Sequence, residues 1–262
     1  MNVSELKKEW LVEEQAKFLG WDFAHIAGRT ADEPLPWDYR ALVLELLDPA
    51  ITLLDMGTGG GEFLLSLSPT PGMTYATEAY PPNIEQSRLT LAPHGIEVAA
   101  VTDDALLPFP DNRFDLVINR HEAYCAKEVY RILKPGGRFI TQQVGSRNNS
   151  ELSRFLLGDL PELNRPAFDM ETAAADLTQA GLTVLERQEH HPLLTFYDVG
   201  ALVYFCRIIE WEFPGFSVER CLDRLCLLQK RLEHEGRIQT QEHRFLLTAY
   251  KDKSSAEDRV KG

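Results

Sequence analysis

Basic residues are scarce in this sequence. Lys and Arg number 27 against 40 Asp and Glu, so that the 262 residues carry a formal net charge of −13. Such a surplus of negative charge repels the phosphates of nucleic acids and anionic membrane surfaces. Unless a local basic patch intervenes, this charge argues against a nucleic-acid substrate.

Long apolar segments are also missing. The most apolar stretch, Val199 to Cys206, is far too short to span a bilayer, and the charged residues 1–10 do not resemble a signal peptide. The cysteines lack the spacing of metal ligands, and we expect them to be buried thiols: Cys125, Cys206, Cys221 and Cys226. The sequence therefore predicts a cytoplasmic protein with no bound metal and no membrane contact.

A short apolar run that ends in an aspartate leads into a glycine-rich loop. Residues 51–54 are apolar and partly β-branched, which is typical of a strand buried on both faces of a parallel sheet. Glycines at every second position then permit a tight turn with bare backbone, and residues 62–67 predict a short helix. Strand, glycine turn and helix N-terminus together form the nucleotide-binding element of doubly wound α/β folds.

The spacing of the glycines indicates which nucleotide is bound. A dinucleotide fingerprint that starts at Gly57 needs a glycine at position 62, where this chain has Glu62, and this disfavours a nicotinamide oxidoreductase. The lysine and hydroxyl residue of a triphosphate-binding loop are missing too. Instead, the pattern D-x-G-x-G-x-G at residues 55–61 resembles the first motif of class I S-adenosylmethionine-dependent methyltransferases. That cofactor carries an ammonium and a sulfonium, so a nearby carboxylate such as Asp55 is physically reasonable.

Acidic residues follow the next two predicted strands. Glu78 comes after the strand at 73–77, about twenty residues beyond the loop, where a carboxylate can hold a ribose diol; otherwise it is an ordinary exposed loop acid. After the strand at 96–101, the resemblance implies an acid that accepts from the adenine amine. Counting back from residues 107–109 selects Asp103, with Asp104 as the alternative, and either could instead cap a helix.

The resemblance extends over about residues 50–145 in four ordered motifs. Residues 107–117 and the phrase Arg-Ile-Leu-Lys-Pro-Gly-Gly at 131–137 are also similar to the family. The resemblance implies S-adenosylmethionine as the cofactor, bound by Asp55, Gly57, Thr58, Gly59, Gly61, Glu78, Asp103, Asp104 and Asn119.

Candidate catalytic residues follow the predicted fourth strand at 114–119, at the edge where open α/β sheets place their chemistry. His121 is the candidate base, because an imidazole titrates near neutral pH, and Glu122 or Tyr124 could orient it or the substrate. The alternative is that His121 only packs against or caps the following helix. Asn119 is followed by Arg120 and not by the Pro-Pro-aromatic motif of amino-methyltransferases, which disfavours nucleobase or glutamine acceptors.

The predicted fold is α/β, with a doubly wound, seven-stranded and mostly parallel sheet whose last strand, at 243–250, is antiparallel. A methyltransferase domain is predicted at 37–191 and 243–251. We further expect a helical N-terminal cover at 1–36, a helical insertion at 192–242 that covers the substrate site, and a disordered tail at 252–262.

The predicted function is transfer of a methyl group from S-adenosylmethionine to a small-molecule acceptor. An RNA methyltransferase is one alternative, and it would need a basic face. Another alternative is a protein that binds the cofactor without turnover, such as a sensor or an activating subunit. The acceptor and the oligomeric state stay open.

Overall fold

A computed structural model describes residues 2–18, 23–160, 163 and 166–253. The chain divides into two compact units. The large unit comprises residues 36–144, 168–189 and 245–262, and the small unit comprises residues 1–35, 145–167 and 190–244.

Helices and strands alternate along most of the described chain. The α-helices are α1 (Val3–Glu14), α2 (Tyr39–Leu46), α3 (Glu62–Ser66), α4 (Pro81–Leu91), α5 (Ala126–Ile132), α6 (Ser150–Leu157), α7 (Met170–Gln179), α8 (Val199–Ile208) and α9 (Val218–Glu235). The strands are β1 (Thr30–Asp32), β2 (Leu53–Met56), β3 (Thr74–Glu78), β4 (Glu97–Ala100), β5 (Phe114–Arg120), β6 (Leu133–Val144), β7 (Leu182–His190), β8 (Leu193–Phe196), β9 (Ile238–Gln241) and β10 (Arg244–Lys251).

The large unit is built on a seven-stranded sheet in the order β4-β3-β2-β5-β6-β10-β7. β2 pairs in parallel with both β3 and β5, and β10 is the antiparallel strand. The strand order reverses between β2 and β5, and ligands of open α/β sheets bind outside the carboxyl ends of the strands at such a point. The predicted seven-stranded sheet with an antiparallel last strand is confirmed, and this strand, β10, lies between β6 and β7.

Burial explains why the central strands read as continuous apolar runs. All four residues of β2 are buried, and Leu54 and Met56 belong to a core with Val117 and Phe139. A strand covered by helices on both faces has no side that faces the solvent, so the alternating pattern of a half-exposed strand is lost; Asp55, near the carboxyl end of β2, is the polar exception.

The sequence Lys-Pro-Gly-Gly at 134–137 differs from its prediction. A Pro-Gly-Gly sequence is typical of a sharp turn and predicts that the strand starts only at Arg138, but β6 already begins at Leu133. The pairing with β5 shifts from Phe114↔Leu133 to Leu116↔Arg138, and Gly136 has a φ of +85°. These residues therefore form an irregular bulge inside the strand and not a reversal of the chain.

The small unit contains a sheet that the sequence pattern did not predict. β1 pairs antiparallel with β8, and β8 pairs antiparallel with β9. Each of these strands has only three or four residues, which is too short for a recognisable hydrophobic period. The predicted helical extension and helical insertion thus both contribute strands as well as helices.

The most apolar stretch of the sequence forms the centre of the small unit. All residues from Val199 to Cys206 in α8 are buried, and they pack in a core with Trp10, Phe213 and Leu225. None of the helices in the described part of the chain combines the length and apolar character of a membrane span.

The two units follow the predicted domain bounds only in part. Residues 145–167 group with the small unit, whereas the prediction counted them with the methyltransferase domain. In the predicted tail, residues 254–262 lie outside the described residues. The covering role of residues 192–242 stays a prediction.

Candidate active site

The glycine loop follows the carboxyl end of β2 and is hydrogen-bonded to the carboxyl end of the neighbouring strand β3. Gly57, Gly59 and Gly61 have φ values of +70°, +62° and +91°, a region that only glycine enters without strain. The backbone N–H groups of Gly57 and Thr58 donate to the carbonyl of Thr77 at 3.1 and 3.0 Å. The alternating glycines therefore allow the backbone to take a left-handed conformation at three positions, and this tight turn keeps the loop against the end of β3.

Glu78 at the end of β3 is held by backbone donors. The side chain is 3% exposed; one carboxylate oxygen accepts from Gly59 N at 2.7 Å, and the other accepts from Ala79 N and Tyr80 N at 2.9 Å. Among the described residues, no cationic nitrogen lies within 4 Å of this carboxylate. Glu78 is thus a buried, oriented carboxylate that contacts the glycine loop, and not an exposed loop acid.

Asp55, the third residue of β2, is also buried, with 4% of its surface exposed. Burial raises the pKa of Asp55 to about 7; the nearby charge of Glu78 adds to the shift, and the Arg120 guanidinium opposes it. Arg120 itself lies over the ring of Phe63, 4.2 Å from its centroid. The carboxyl of Asp55 therefore exchanges its proton near neutral pH.

Glu122 meets the glycine loop directly. A Cβ atom placed on Gly57 would lie 2.3 Å from Glu122 Cγ, so the side chain of Glu122 lies against the bare Cα of Gly57. Burial raises the pKa of the Glu122 carboxyl, and the charges of Glu78 and Asp104 raise it further. Asp55, Glu78, Asp104 and Glu122 are hereafter called the acidic cluster.

The structure distinguishes the two neighbouring candidates after β4. Asp103 is exposed, and its side chain accepts from Ala105 N at 2.8 Å, which closes its own turn. Asp104 is half-buried, and its pKa is raised by burial and by the charge of Asp103. Asp104, which acts electrostatically on Glu122, is therefore the member of the pair that joins the acidic cluster.

Asn119 lies buried in β5 beside these groups. Its side-chain oxygen accepts from Thr141 Oγ1 at 2.8 Å and from Gln143 Nε2. Its Nδ2 has no hydrogen-bond partner among the described residues. An unpaired buried donor costs about 1–3 kcal/mol, and in a native protein it calls for a ligand or a water molecule as partner.

Two consecutive glutamines of β6 hold the loop that carries His121 and Glu122. Gln142 Nε2 lies 2.9 Å from His121 Nε2, and Gln143 Nε2 donates to the carbonyl of Glu122 at 2.9 Å. Sequence reasoning missed both glutamines and also missed Trp37, whose Nε1 donates to Gln142 Oε1 at 2.8 Å. The available signal was the pair of consecutive amide side chains near the carboxyl end of β6.

The side chain of Tyr124 packs among apolar residues. Its ring packs on Phe139 at a centroid distance of 5.1 Å and contacts the core of the large unit. Burial raises the pKa of its hydroxyl above the ordinary value. Its role as a catalytic residue stays a prediction, and its position favours packing.

Comparison with known proteins finds similarity in the part of the chain that contains the glycine loop. Residues 54–141 match a family model described as a methyltransferase domain. The chain is 37% identical over 116 residues to a demethylmenaquinone methyltransferase from Thermus thermophilus, covering 40% of this chain and 53% of that protein. It is 25% identical over 208 residues to a 2-methyl-6-phytyl-1,4-hydroquinone methyltransferase from Synechocystis, covering 69% and 65%. The chain thus spans about half to two thirds of the length of these curated relatives.

Among solved structures, the YcgJ protein from Bacillus subtilis is similar to this chain with a TM-score of 0.58. The two are 18% identical, and the alignment covers 81% of this chain and 97% of that protein. At this identity the likeness concerns the fold alone.

Proposed function

We propose that this chain, which belongs to the class I S-adenosylmethionine-dependent methyltransferase family, transfers a methyl group from that cofactor to a small-molecule acceptor. The observation that carries the proposal is the acidic cluster beside the glycine loop. The charge of Glu78 adds to the raised pKa values of Asp55 and Glu122, and the positive charge that acts on Asp55 is Arg120. A cationic ligand would relieve this repulsion.

The residues around the loop fit the parts of the cofactor. Glu78, oriented by three backbone N–H groups, would hold the ribose hydroxyls, and Asp104 would accept from the adenine amine, with Asp103 as the exposed alternative. Gly59 leaves open space where a Cβ would stand, and this allows a ligand to approach the backbone there. Asp55, Asn119 and Glu122 would contact the cationic methionyl part.

When bound, the cofactor supplies an activated methyl group, so this chain mainly has to align the acceptor and exclude water. In our proposal His121 and Glu122 line the acceptor side, because they follow β5 and Glu122 contacts the loop at Gly57. Replacing His121, which in our proposal only positions the acceptor, would lower the turnover number without weakening the binding of the cofactor, whereas Glu122 would also contact the cofactor.

A small, ring-containing acceptor is the class that we favour. The two curated relatives are named for a menaquinone precursor and a hydroquinone. The net charge of −13 disfavours RNA, whose phosphates it would repel. Identity with these relatives is limited to part of each chain, so the acceptor class belongs to the proposal.

Calorimetry with two related ligands tests the proposal. S-adenosylmethionine and S-adenosylhomocysteine share the ribose and the ammonium but differ in the sulfonium charge. We expect both to bind, Glu78→Gln to weaken both alike, and Glu122→Gln to weaken S-adenosylmethionine more. Glu97→Gln removes the same charge from an exposed side chain of β4 and serves as the matched control.

Two results would contradict the proposal, one for the cofactor and one for the methyl transfer. If neither ligand bound but NAD bound saturably, the cofactor assignment would be wrong. If both ligands bound and no methyl transfer to quinols, phenols or other ring compounds could be found, a binding protein without turnover would be the better reading.

A further inference from the structure

Three side chains of the large unit form a hydrogen-bonded chain that ends on His121. Trp37 Nε1 donates to Gln142 Oε1 at 2.8 Å, and Gln142 Nε2 lies 2.9 Å from His121 Nε2. Trp37 and Gln142 are 8% and 6% exposed, whereas His121 is exposed. Two buried polar groups therefore hold one exposed imidazole.

The indole of Trp37 determines which atoms of Gln142 and His121 donate and which accept in this chain of hydrogen bonds. An indole N–H can only donate, so the atom of Gln142 that faces Trp37 must be the carbonyl oxygen. The amide nitrogen of Gln142 then faces His121 and is a donor. His121 Nε2 must accept this hydrogen bond, and it can do so only without a proton of its own.

The backbone strengthens this arrangement. The N–H of His121 donates to the carbonyl of Gln142 at 2.8 Å, directly beyond the paired residues Arg120 and Gln142 of β5 and β6. His121 has a φ of +61°, a left-handed conformation that residues other than glycine rarely adopt. Gln142 therefore holds both the backbone and the ring of His121 in a fixed position.

We propose that Trp37 and Gln142 are positioning residues that keep His121 neutral, with its hydrogen on Nδ1, beside the cofactor site. The location rests on the proposed function, and it follows from the neighbouring Glu122, which lies against Gly57. The tautomer follows from the hydrogen bonds alone.

This arrangement bears on how His121 can act. Its Nε2 lone pair is engaged by Gln142, so His121 can accept a proton at that atom only after the bond to Gln142 is broken. A ring held in one tautomer and one orientation is suited to orienting an acceptor. The base role predicted for His121 would require the ring to leave Gln142 first.

Nitrogen NMR of the histidine rings tests the tautomer without a substrate. The signals of His121 are identified by their loss in His121→Asn, and we expect a protonated Nδ1 and an unprotonated Nε2. Gln142→Glu replaces the donor with an acceptor of nearly the same shape, so the hydrogen should move to Nε2. Trp37→Phe removes the group that fixes the amide, and it should give a mixture of both tautomers.

A control and a ligand complete the experiment. Gln86→Glu, on the exposed face of α4, adds the same charge elsewhere and should leave the His121 signals unchanged. Adding S-adenosylhomocysteine to the wild type should shift the His121 signals, because the residue lies next to the cofactor site. If Gln142→Glu does not fold, Trp37→Phe still tests the assignment.

Several results would overturn the inference. A wild-type His121 with its hydrogen on Nε2 contradicts it, as does an unchanged tautomer in folded Gln142→Glu or in Trp37→Phe. Bound S-adenosylhomocysteine without any shift of the His121 signals contradicts the location. Failure of the proposed function is recognised separately, because neither S-adenosylmethionine nor S-adenosylhomocysteine would then give heat in calorimetry.

Discussion

Glu122 lies against Gly57 so closely that a Cβ atom at position 57 would stand 2.3 Å from Glu122 Cγ and 2.4 Å from Glu122 Cβ. The contact follows from the pairing of β2 with β5, in which Met56 lies opposite Asn119. The segments that leave these two strands are therefore forced together. This is how the glycine loop meets the residues predicted to be catalytic.

Replacing Gly57 should cost more stability than replacing Gly59. Both residues have positive φ values, so alanine at either position costs about 1–2 kcal/mol in backbone strain. Gly57→Ala adds a clash with Glu122 worth about 1–3 kcal/mol, whereas a Cβ at Gly59 meets open space. Urea unfolding of the two variants measures the difference, and equal losses would argue that Glu122 can move away freely.

Asp55→Asn should stabilise the fold and weaken the site. The folded-state pKa of Asp55, about 7, lies above its ordinary value of 3.8, so the native state holds an extra proton between these pH values. The free energy of unfolding therefore falls as the pH rises through this window. Above pH 7, Asp55→Asn should raise it by up to about 4 kcal/mol, since one pKa unit is about 1.4 kcal/mol.

Denaturant curves at acid and alkaline pH check this prediction for Asp55. The gain should shrink as the pH falls towards 4 and disappear only below the ordinary pKa of 3.8, where the wild-type carboxyl is largely protonated in both states. Glu97→Gln, at the exposed surface, should show no such gain. A variant that is less stable than wild type at alkaline pH would mean that hydrogen bonds of the carboxylate outweigh the cost of burying it.

Binding of S-adenosylmethionine should release protons near neutral pH. The raised pKa values of Asp55, Asp104 and Glu122 mean that the free protein holds protons that a cationic ligand would expel. Affinity should therefore increase as the pH rises to about 7 and then level off, by at most about tenfold per pH unit for one proton. Calorimetry in buffers of different ionisation enthalpy counts the protons, and Asp55→Asn should release fewer.

Arg131 joins two of the sequence motifs, and its removal should destabilise the large unit. Its guanidinium donates to the carbonyls of Leu107 and Phe109, and it pairs with Glu128, whose pKa it holds below the ordinary value. Arg131→Ala leaves these partly buried acceptors unpaired, so we expect a loss of about 2–4 kcal/mol. Arg187→Ala, which breaks an exposed pair with Glu171, is the control and should cost less than about 1 kcal/mol. Similar losses in the two variants would contradict this account.

Much of the fold could be predicted because its signals are local. α9 lies between Ser217 and Gly236, and these two residues cap it because each supplies a hydrogen bond or conformation that a helix end needs. The three short strands of the small unit were missed because they carry no period of their own. They exist only through pairing with one another.

The sequence by itself determined the order of the elements in the seven-stranded sheet, the left-handed glycine loop and the acids at the ends of β3 and β4, because backbone preference and hydrophobic period act over a few residues. Only the tertiary structure decided which of Asp103 and Asp104 joins the acidic cluster and how far burial raises the pKa of Asp55. It alone also brought Trp37 to Gln142, 105 positions away. Such contacts and desolvation depend on how distant segments pack, and no local pattern in the chain encodes them.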